Sequence, residues 1–318
     1  MSTQAVGLQF PRGAAPFSPE TGPIRDVRTV LRASRVLFPL TETYTHQAPV
    51  LGGSSYHRAV SAIGKKIIIV TTGDPIPDMI EKRGSFAAMI QQAIGHLWTG
   101  DYAGFDARLE AFPHPREADA FIITGSASNV PNRDDWIVRT EAWLREVVAA
   151  GTPTFGICFG HQLLAHALGG ECIRNPRGRE IGTVTIHRRT EDPGHAGEIL
   201  FAGLPQHFQA NVTHIDTVGR LPPGAVSLAR SDGDEHHAIR FTPTCYGVQF
   251  HPEIDAEIML SYIRSRREIL ASEGFDVEAL EGAVTTPEAG QRTLHNFLRH
   301  VVLGRSVETA DQVVSAEN

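Results

Sequence analysis

Thr152-Pro153-Thr154-Phe155-Gly156-Ile157-Cys158-Phe159-Gly160-His161-Gln162 reads as a short apolar strand, an abrupt turn and the entry to a helix that runs on through Leu168. Glycines two before and two after Cys158 let the backbone reverse sharply between strand and helix, which lifts the side chain between them to the carboxyl edge of a sheet. Outward from this segment the same grammar recurs. Lys66-Ile67-Ile68-Ile69-Val70 is an unbroken β-branched run ending in Thr71-Thr72-Gly73-Asp74-Pro75, and a helical pattern is expected from Asp78 to Leu97. Ala120-Phe121-Ile122-Ile123-Thr124 is a second such run, followed by the loop Gly125 to Asn129 and a helix opened by Asp134 and Asp135. Continuous apolar strands without alternation are those buried on both faces, and strands alternating with helices imply a parallel sheet.

After Gly169-Gly170 the texture changes to short β-like pieces at Thr183 to His187, Val226 to Arg230, Ala238 to Phe241 and Cys245 to Phe250. With no linker before them, they read as antiparallel additions to the same sheet. Helical patterns return at Ala256 to Leu270 and Glu288 to Val302. The expected fold class is α/β: a doubly wound, flavodoxin-like three-layer sandwich with a mostly parallel central sheet and antiparallel additions.

Charge and composition bound the function. The chain has 318 residues, 29 Lys+Arg against 36 Asp+Glu and a formal net charge of −7, which argues against nucleic-acid or anionic-membrane binding. No apolar run approaches the roughly 20 residues of a membrane span, so a soluble protein is expected. Three cysteines, Cys158, Cys172 and Cys245, cannot form a disulfide framework and suit a reducing compartment such as the cytoplasm. Residues 1–63 carry six Arg, three acids and six Pro, a balance of +3 before a body of −10. They are expected to be a disordered leader, with organelle targeting as the alternative. The catalytic domain is expected over 64–303 and a flexible tail over 304–318.

At the helix N-terminus the Cys158 thiol meets a dipole and free N–H groups that favour thiolate. A nucleophile also needs a base and a group to orient it. Gln249-Phe250-His251-Pro252-Glu253 ends another strand; His251 suits the base, and Glu253, turned back by Pro252, suits the group that fixes its tautomer. Either segment alone is weak evidence, since a glycine-lined cysteine is more often packed and a His-Pro-Glu more often a loop.

Together the two segments resemble the class I glutamine amidotransferase family, with its Cys-His-Glu triad. The resemblance covers roughly Lys65 to Val302. It implies Cys158 as nucleophile, His251 as general base and acid, and Glu253 as orienting carboxylate. It further implies an oxyanion hole from the backbone N–H groups of Phe159 and Gly125, and substrate contacts at Ser126, Gln162, Thr213 and His214, with Glu180 near the same pocket. Members linked to synthases usually carry Gly-Gly-Pro where this chain has Thr124-Gly125-Ser126. That turn, Asp134-Asp135-Trp136 and Gly274-Phe275-Asp276 are closer to stand-alone GMP-synthase-like proteins, a subgroup that includes the γ-glutamyl peptidases of plants.

The implied reaction is hydrolysis of the γ-amide of glutamine, or of a γ-glutamyl amide, through a Cys158 thioester, with a small-molecule substrate. No synthetase module is read after Val302, so an ammonia acceptor is expected on a separate synthetase subunit, or water is the only acceptor. A free γ-glutamyl peptidase stays open, as does a non-catalytic regulatory or scaffold protein that kept the fold. No cofactor is expected: no G-x-G-x-x-G follows a strand, and the 15 histidines, including His161, His166, His236 and His237, lack the compact spacing of a zinc site. Cys172 and Cys245 read as packed thiols.

Overall fold

The computed structural model describes residues 65–190 and 198–306; the leader over 1–63 and residues 307–318 of the expected tail lie outside the described residues. Eleven strands are described. In chain order β1 is Lys66–Thr71, β2 Asp101–Asp106, β3 Ala120–Ile123, β4 Thr154–Ile157, β5 Glu171–Arg174, β6 Glu180–Arg188, β7 His207–His214, β8 Asp216–Arg220, β9 Val226–Arg230, β10 Ala238–Thr242 and β11 Cys245–Val248. Nine of them form one sheet in the order β2-β1-β3-β4-β11-β10-β9-β6-β7, and β5 pairs with β8 in a separate ribbon. β2, β1, β3, β4 and β11 are parallel neighbours, and every later pairing in the large sheet is antiparallel. The doubly wound, mostly parallel sheet with antiparallel additions is therefore the architecture observed.

Sequence explains which strands lie where. β3, β4 and β11 are buried at every residue, as their unbroken apolar runs require. Their side chains fill two layers: Ile67, Ile69, Ile122, Phe155 and Ile157 on one face, and Ile68, Val70, Phe121 and Ile123 on the other. Each such fully buried side chain contributes about 1.5–3 kcal/mol of apolar transfer.

The helices are α1 Pro77–Arg83, α2 Phe86–Ile94, α3 Asp135–Ala149, α4 Phe159–Ala167, α5 Ala256–Ser265, α6 Arg267–Ser272, α7 Val277–Gly282 and α8 Glu288–Asn296, the last continued by a π-helical turn over Phe297–Val302. The single helix expected over 78–97 is two. Gly84 ends α1 with φ +78°, and Ser85 caps α2 by accepting a hydrogen bond from the Ala88 N–H at 3.3 Å. A stop signal and a start signal stand side by side there, and the apolar period runs across both. Strand β2, Asp-Tyr-Ala-Gly-Phe-Asp, was not expected: it lies at the sheet edge, mostly exposed, and so carries no apolar run. Among the described residues no helix is long and apolar enough to cross a membrane.

Candidate active site

Strand register brings the two motifs together. β4 and β11 run parallel with Phe155 opposite Tyr246, Gly156 opposite Gly247 and Ile157 opposite Val248. The residues that follow both strands therefore leave the same sheet edge side by side. The Cys158 N–H donates to the Val248 carbonyl at 2.8 Å, and the Gln249 side-chain amide donates to the Cys158 Sγ at 3.4 Å. His251 stands two residues further, with its N–H donating to the Asn211 carbonyl at 2.9 Å.

The turn at Cys158 is strained and tightly packed. Cys158 has φ +50° and ψ −101°, one of two non-glycine residues with positive φ among the described residues. Such a conformation costs on the order of 1–3 kcal/mol and persists where its surroundings over-determine it. The surroundings here are backbone. A Cβ on Gly156 would sit 2.6 Å from the Gly160 carbonyl carbon and oxygen, and a Cβ on Gly160 would sit 2.6 Å from the Ile123 carbonyl oxygen. The two flanking glycines are thus required because helix α4 starts in contact with β4 and β3. The first-turn N–H groups of α4, including that of Phe159, have no acceptor within the helix.

His251 is buried, and its Nδ1 lies 2.8 Å from Glu253 Oε1. Burial disfavours the imidazolium, but the Glu253 carboxylate and the Cys158 sulfur outweigh it and push the ring pKa up to about 10. Nε2 makes no hydrogen bond and is free for a reacting atom. Gly125 closes the other side: a Cβ there would lie 3.1 Å from His251 Cε1 and 3.9 Å from Cys158 Cβ. The other two thiols have a different environment. Burial pushes Cys172 up to about 12 and raises Cys245 further, consistent with inert packed groups.

Cys158 and His251 open into a cleft of about 240 Å³ that is also lined by Ser126, Ala127, Thr213, Asp74, Phe86, Tyr262 and Arg266. Ser126 and Thr213 thus line the cleft. Gln162 and His214 are bound elsewhere. The Gln162 Nε2 donates to the Asp216 carbonyl at 2.7 Å and to Gln249 Oε1 at 3.0 Å, which uses both of its protons. His214 places Nδ1 3.0 Å from the Asp216 carbonyl and Nε2 3.0 Å from Glu180 Oε2. A carbonyl and a carboxylate both only accept, so His214 carries a proton on each nitrogen. Glu180 also meets His237 Nε2 at 2.7 Å and accepts from the Ser231 hydroxyl at 2.6 Å. Despite burial, the two imidazoles hold the Glu180 carboxyl well below the usual carboxylate range, and Glu180 and Asp234 raise His214 against its own burial. Glu180, His214 and His237 each bring one donor atom within 4.8 Å of the others, a spacing that could also hold a metal ion. The same distances close as hydrogen bonds between an imidazolium, a second imidazole and a carboxylate.

Gln249, Tyr262 and Arg266 were missed as site residues. Gln249 was legible from its place in the His-Pro-Glu segment, one position after a strand end. Tyr262 and Arg266 come from an amphipathic helix and its cap, whose period signals packing and not a cleft.

A mostly parallel α/β sheet with a strained cysteine at one strand end and a His-Glu pair at the next defines a class of enzyme-like scaffold. Comparison with known proteins makes it specific. The family model for glutamine amidotransferase class-I matches residues 84–264, and the chain belongs to that family. It is 34% identical over 182 residues to a GMP synthase [glutamine-hydrolyzing] of Aeropyrum pernix, covering 55% of this chain and 32% of that one, so it spans about a third of that relative's length. It is 27% identical over 198 residues to gamma-glutamyl peptidase 5 of Arabidopsis thaliana, covering 61% of this chain and 78% of that one. The crystal structure of a glutamine amidotransferase from Thermotoga maritima superposes with a TM-score of 0.54 at 19% identity over 75% of this chain and 98% of that one, a likeness of fold.

Proposed function

We propose that the chain hydrolyses the γ-amide of glutamine, or a γ-glutamyl amide, through a thioester on Cys158. The observation that carries this reading is the arrangement of a cysteine with φ +50° at the start of α4 beside a buried His251 whose Nδ1 is held by Glu253 at 2.8 Å. The Cys158 thiolate attacks the γ-carbonyl, and the N–H groups of Phe159 and Gly125 receive the developing oxyanion. The His251 imidazolium gives its Nε2 proton to the departing nitrogen, the C–N bond breaks, and ammonia or an amine leaves. Neutral His251 then takes a proton from water, which attacks the thioester. The C–S bond breaks, glutamate leaves, and the thiolate-imidazolium pair is restored.

In this reading 64–303 is the catalytic domain, 1–63 a leader and 304–318 a tail. The protein works in the cytoplasm, and the acceptor is a separate synthetase subunit or water. The likeness to the Arabidopsis peptidase over 78% of that relative's length favours a second form of the same chemistry, a free γ-glutamyl peptidase. A substrate panel decides. Purified protein is expected to release glutamate from glutamine or γ-glutamyl dipeptides, and Cys158→Ala to abolish it. Full activity in Cys158→Ala would overturn the mechanism, and activity on glutamine only beside an added synthetase subunit would assign the acceptor.

A further inference from the structure

Arg266 lines the same cleft as Cys158 and His251, at the junction of α5 and α6. Its guanidinium carbon lies 4.9 Å from the Tyr262 ring centroid, and its Nη1 donates to the Tyr262 carbonyl at 3.4 Å. Among the described residues no carboxylate lies within ion-pair distance of it. The arginines around it are spent: Arg179 on Glu273, Arg264 on Glu281, Arg267 on Glu278 and Glu281, and Arg83 on Asp255 and Glu257. Burial works against the charge of Arg266, and neighbouring Arg179 adds to the penalty. A half-buried, aromatic-backed guanidinium that lines the same cleft as a nucleophile, with no carboxylate partner among the described residues, has the chemistry of a carboxylate receptor.

We infer that Arg266 binds a carboxylate of the substrate, which restricts the Cys158 cleft to compounds carrying a free carboxylate near the scissile γ-amide. The carboxylate has two sources in a γ-glutamyl compound: the α-carboxylate of the glutamyl half, or one carried by the departing amine, as in a dipeptide. The inference rests on the proposed hydrolysis for the identity of the bond cut. It does not rest on it for the binding itself, so the two can fail separately.

The first test needs no turnover. Alkylation of Cys158 by iodoacetate and by iodoacetamide in the folded full chain, read by mass spectrometry of the peptide that carries Cys158, compares an anionic probe with a neutral one at the same sulfur. Arg266→Gln is expected to lower the iodoacetate-to-iodoacetamide rate ratio about tenfold, the worth of one charge-assisted hydrogen bond, and Arg266→Lys to lower it less. Because the ratio is taken within one variant, a change in thiolate reactivity common to both probes cancels, and the rates are compared only between variants that keep the wild-type circular-dichroism spectrum. An unchanged ratio, or an equal fall in both rates as for a residue that only supports the thiolate, overturns the inference, as does a Cys158 that neither probe reaches. The second test locates the source. A KM raised in Arg266→Gln for glutamine, γ-glutamylglycine and γ-glutamylglycinamide alike, with kcat retained, assigns the α-carboxylate. A KM raised for γ-glutamylglycine alone assigns the leaving-side carboxylate, and no KM change for any of them overturns the assignment. If wild type turns over none of these, the proposed hydrolysis fails while the alkylation ratio still decides the role of Arg266.

Discussion

His251 meets Glu253 at 2.8 Å and His214 meets Glu180 at 3.0 Å, two buried histidine-glutamate contacts of nearly equal length. One is open and the other closed. His251 uses Nδ1 on its carboxylate and leaves Nε2 without a partner at the wall of a cleft, beside a cysteine. His214 uses both nitrogens, and its carboxylate is shared with His237 and Ser231. A charged pair alone therefore does not mark a reactive site. What the second nitrogen faces does, and that depends on position: the open pair follows the carboxyl end of a parallel strand, where the sheet leaves an edge for a ligand, whereas the closed pair sits among antiparallel strands β6, β7 and the start of β10.

Breaking the open pair is expected to have the largest effect. His251→Asn removes the proton carrier, and glutamate release per folded molecule is expected to fall by roughly 10²–10⁴-fold; a loss under tenfold would contradict the role given to Nε2. Glu253→Gln tests how the pair is charged. With the ring pKa raised to about 10, the imidazolium needed for leaving-group protonation persists through neutral pH and is lost only as pH climbs past that value. The same shift contributes stability that is complete below about pH 6.5 and lost as pH rises through about 10. Removing the Glu253 charge lets burial prevail, so the basic limb of the kcat/KM profile should move to lower pH. A limb that stays in place or moves up would refute this.

Breaking the closed pair should act on folding. Glu180→Gln leaves a buried imidazolium without its anion, a loss of about 3–5 kcal/mol, seen as a melting temperature lower by roughly 10 °C, while kcat per folded molecule stays within a few fold. Because the Glu180 carboxyl titrates lower folded than unfolded, its contribution is present above about pH 4.5 and fades on acidification. The stability gap between wild type and Glu180→Gln should therefore narrow as pH falls below that point, and a gap that widened would contradict the pairing. The smallest effect concerns the link between the regions. Gln249 donates to Cys158 Sγ, and Gln162 ties Gln249 to Asp216, whose carbonyl also receives His214. Gln249→Ala is expected to slow alkylation of Cys158 by about tenfold, the value of one hydrogen bond to a charged acceptor. Unaltered alkylation kinetics would show that this donor contributes nothing to the thiolate.

Much of this was legible in the chain. The β-branched runs gave the buried strands because burial on both faces leaves no room for alternation. The elbow was legible because only Gly156 and Gly160 permit backbone contacts of 2.6 Å on both sides of Cys158. The edge strand β2, the ribbon of β5 and β8 and strand β7 were not, since partly exposed strands with mixed residues carry a weak period. Gln162 shows the limit of a motif: its position in the helix is readable, but the partners of its amide are not.

The sequence by itself determined the layering of the sheet, the turn that presents Cys158 and the chemical types of the three residues expected to react, because these follow from local sterics and from side-chain functional groups. The tertiary structure decided which amides surround the sulfur and where a cation without a carboxylate partner stands among the described residues. Gln249 and Cys158 lie 91 positions apart and touch only because β11 docks beside β4 in one register. Arg266 enters the cleft only because the helices after β11 pack back over the same sheet edge. Contacts of that kind are set by which surfaces bury each other, a property of the whole folded chain that no short window of it contains.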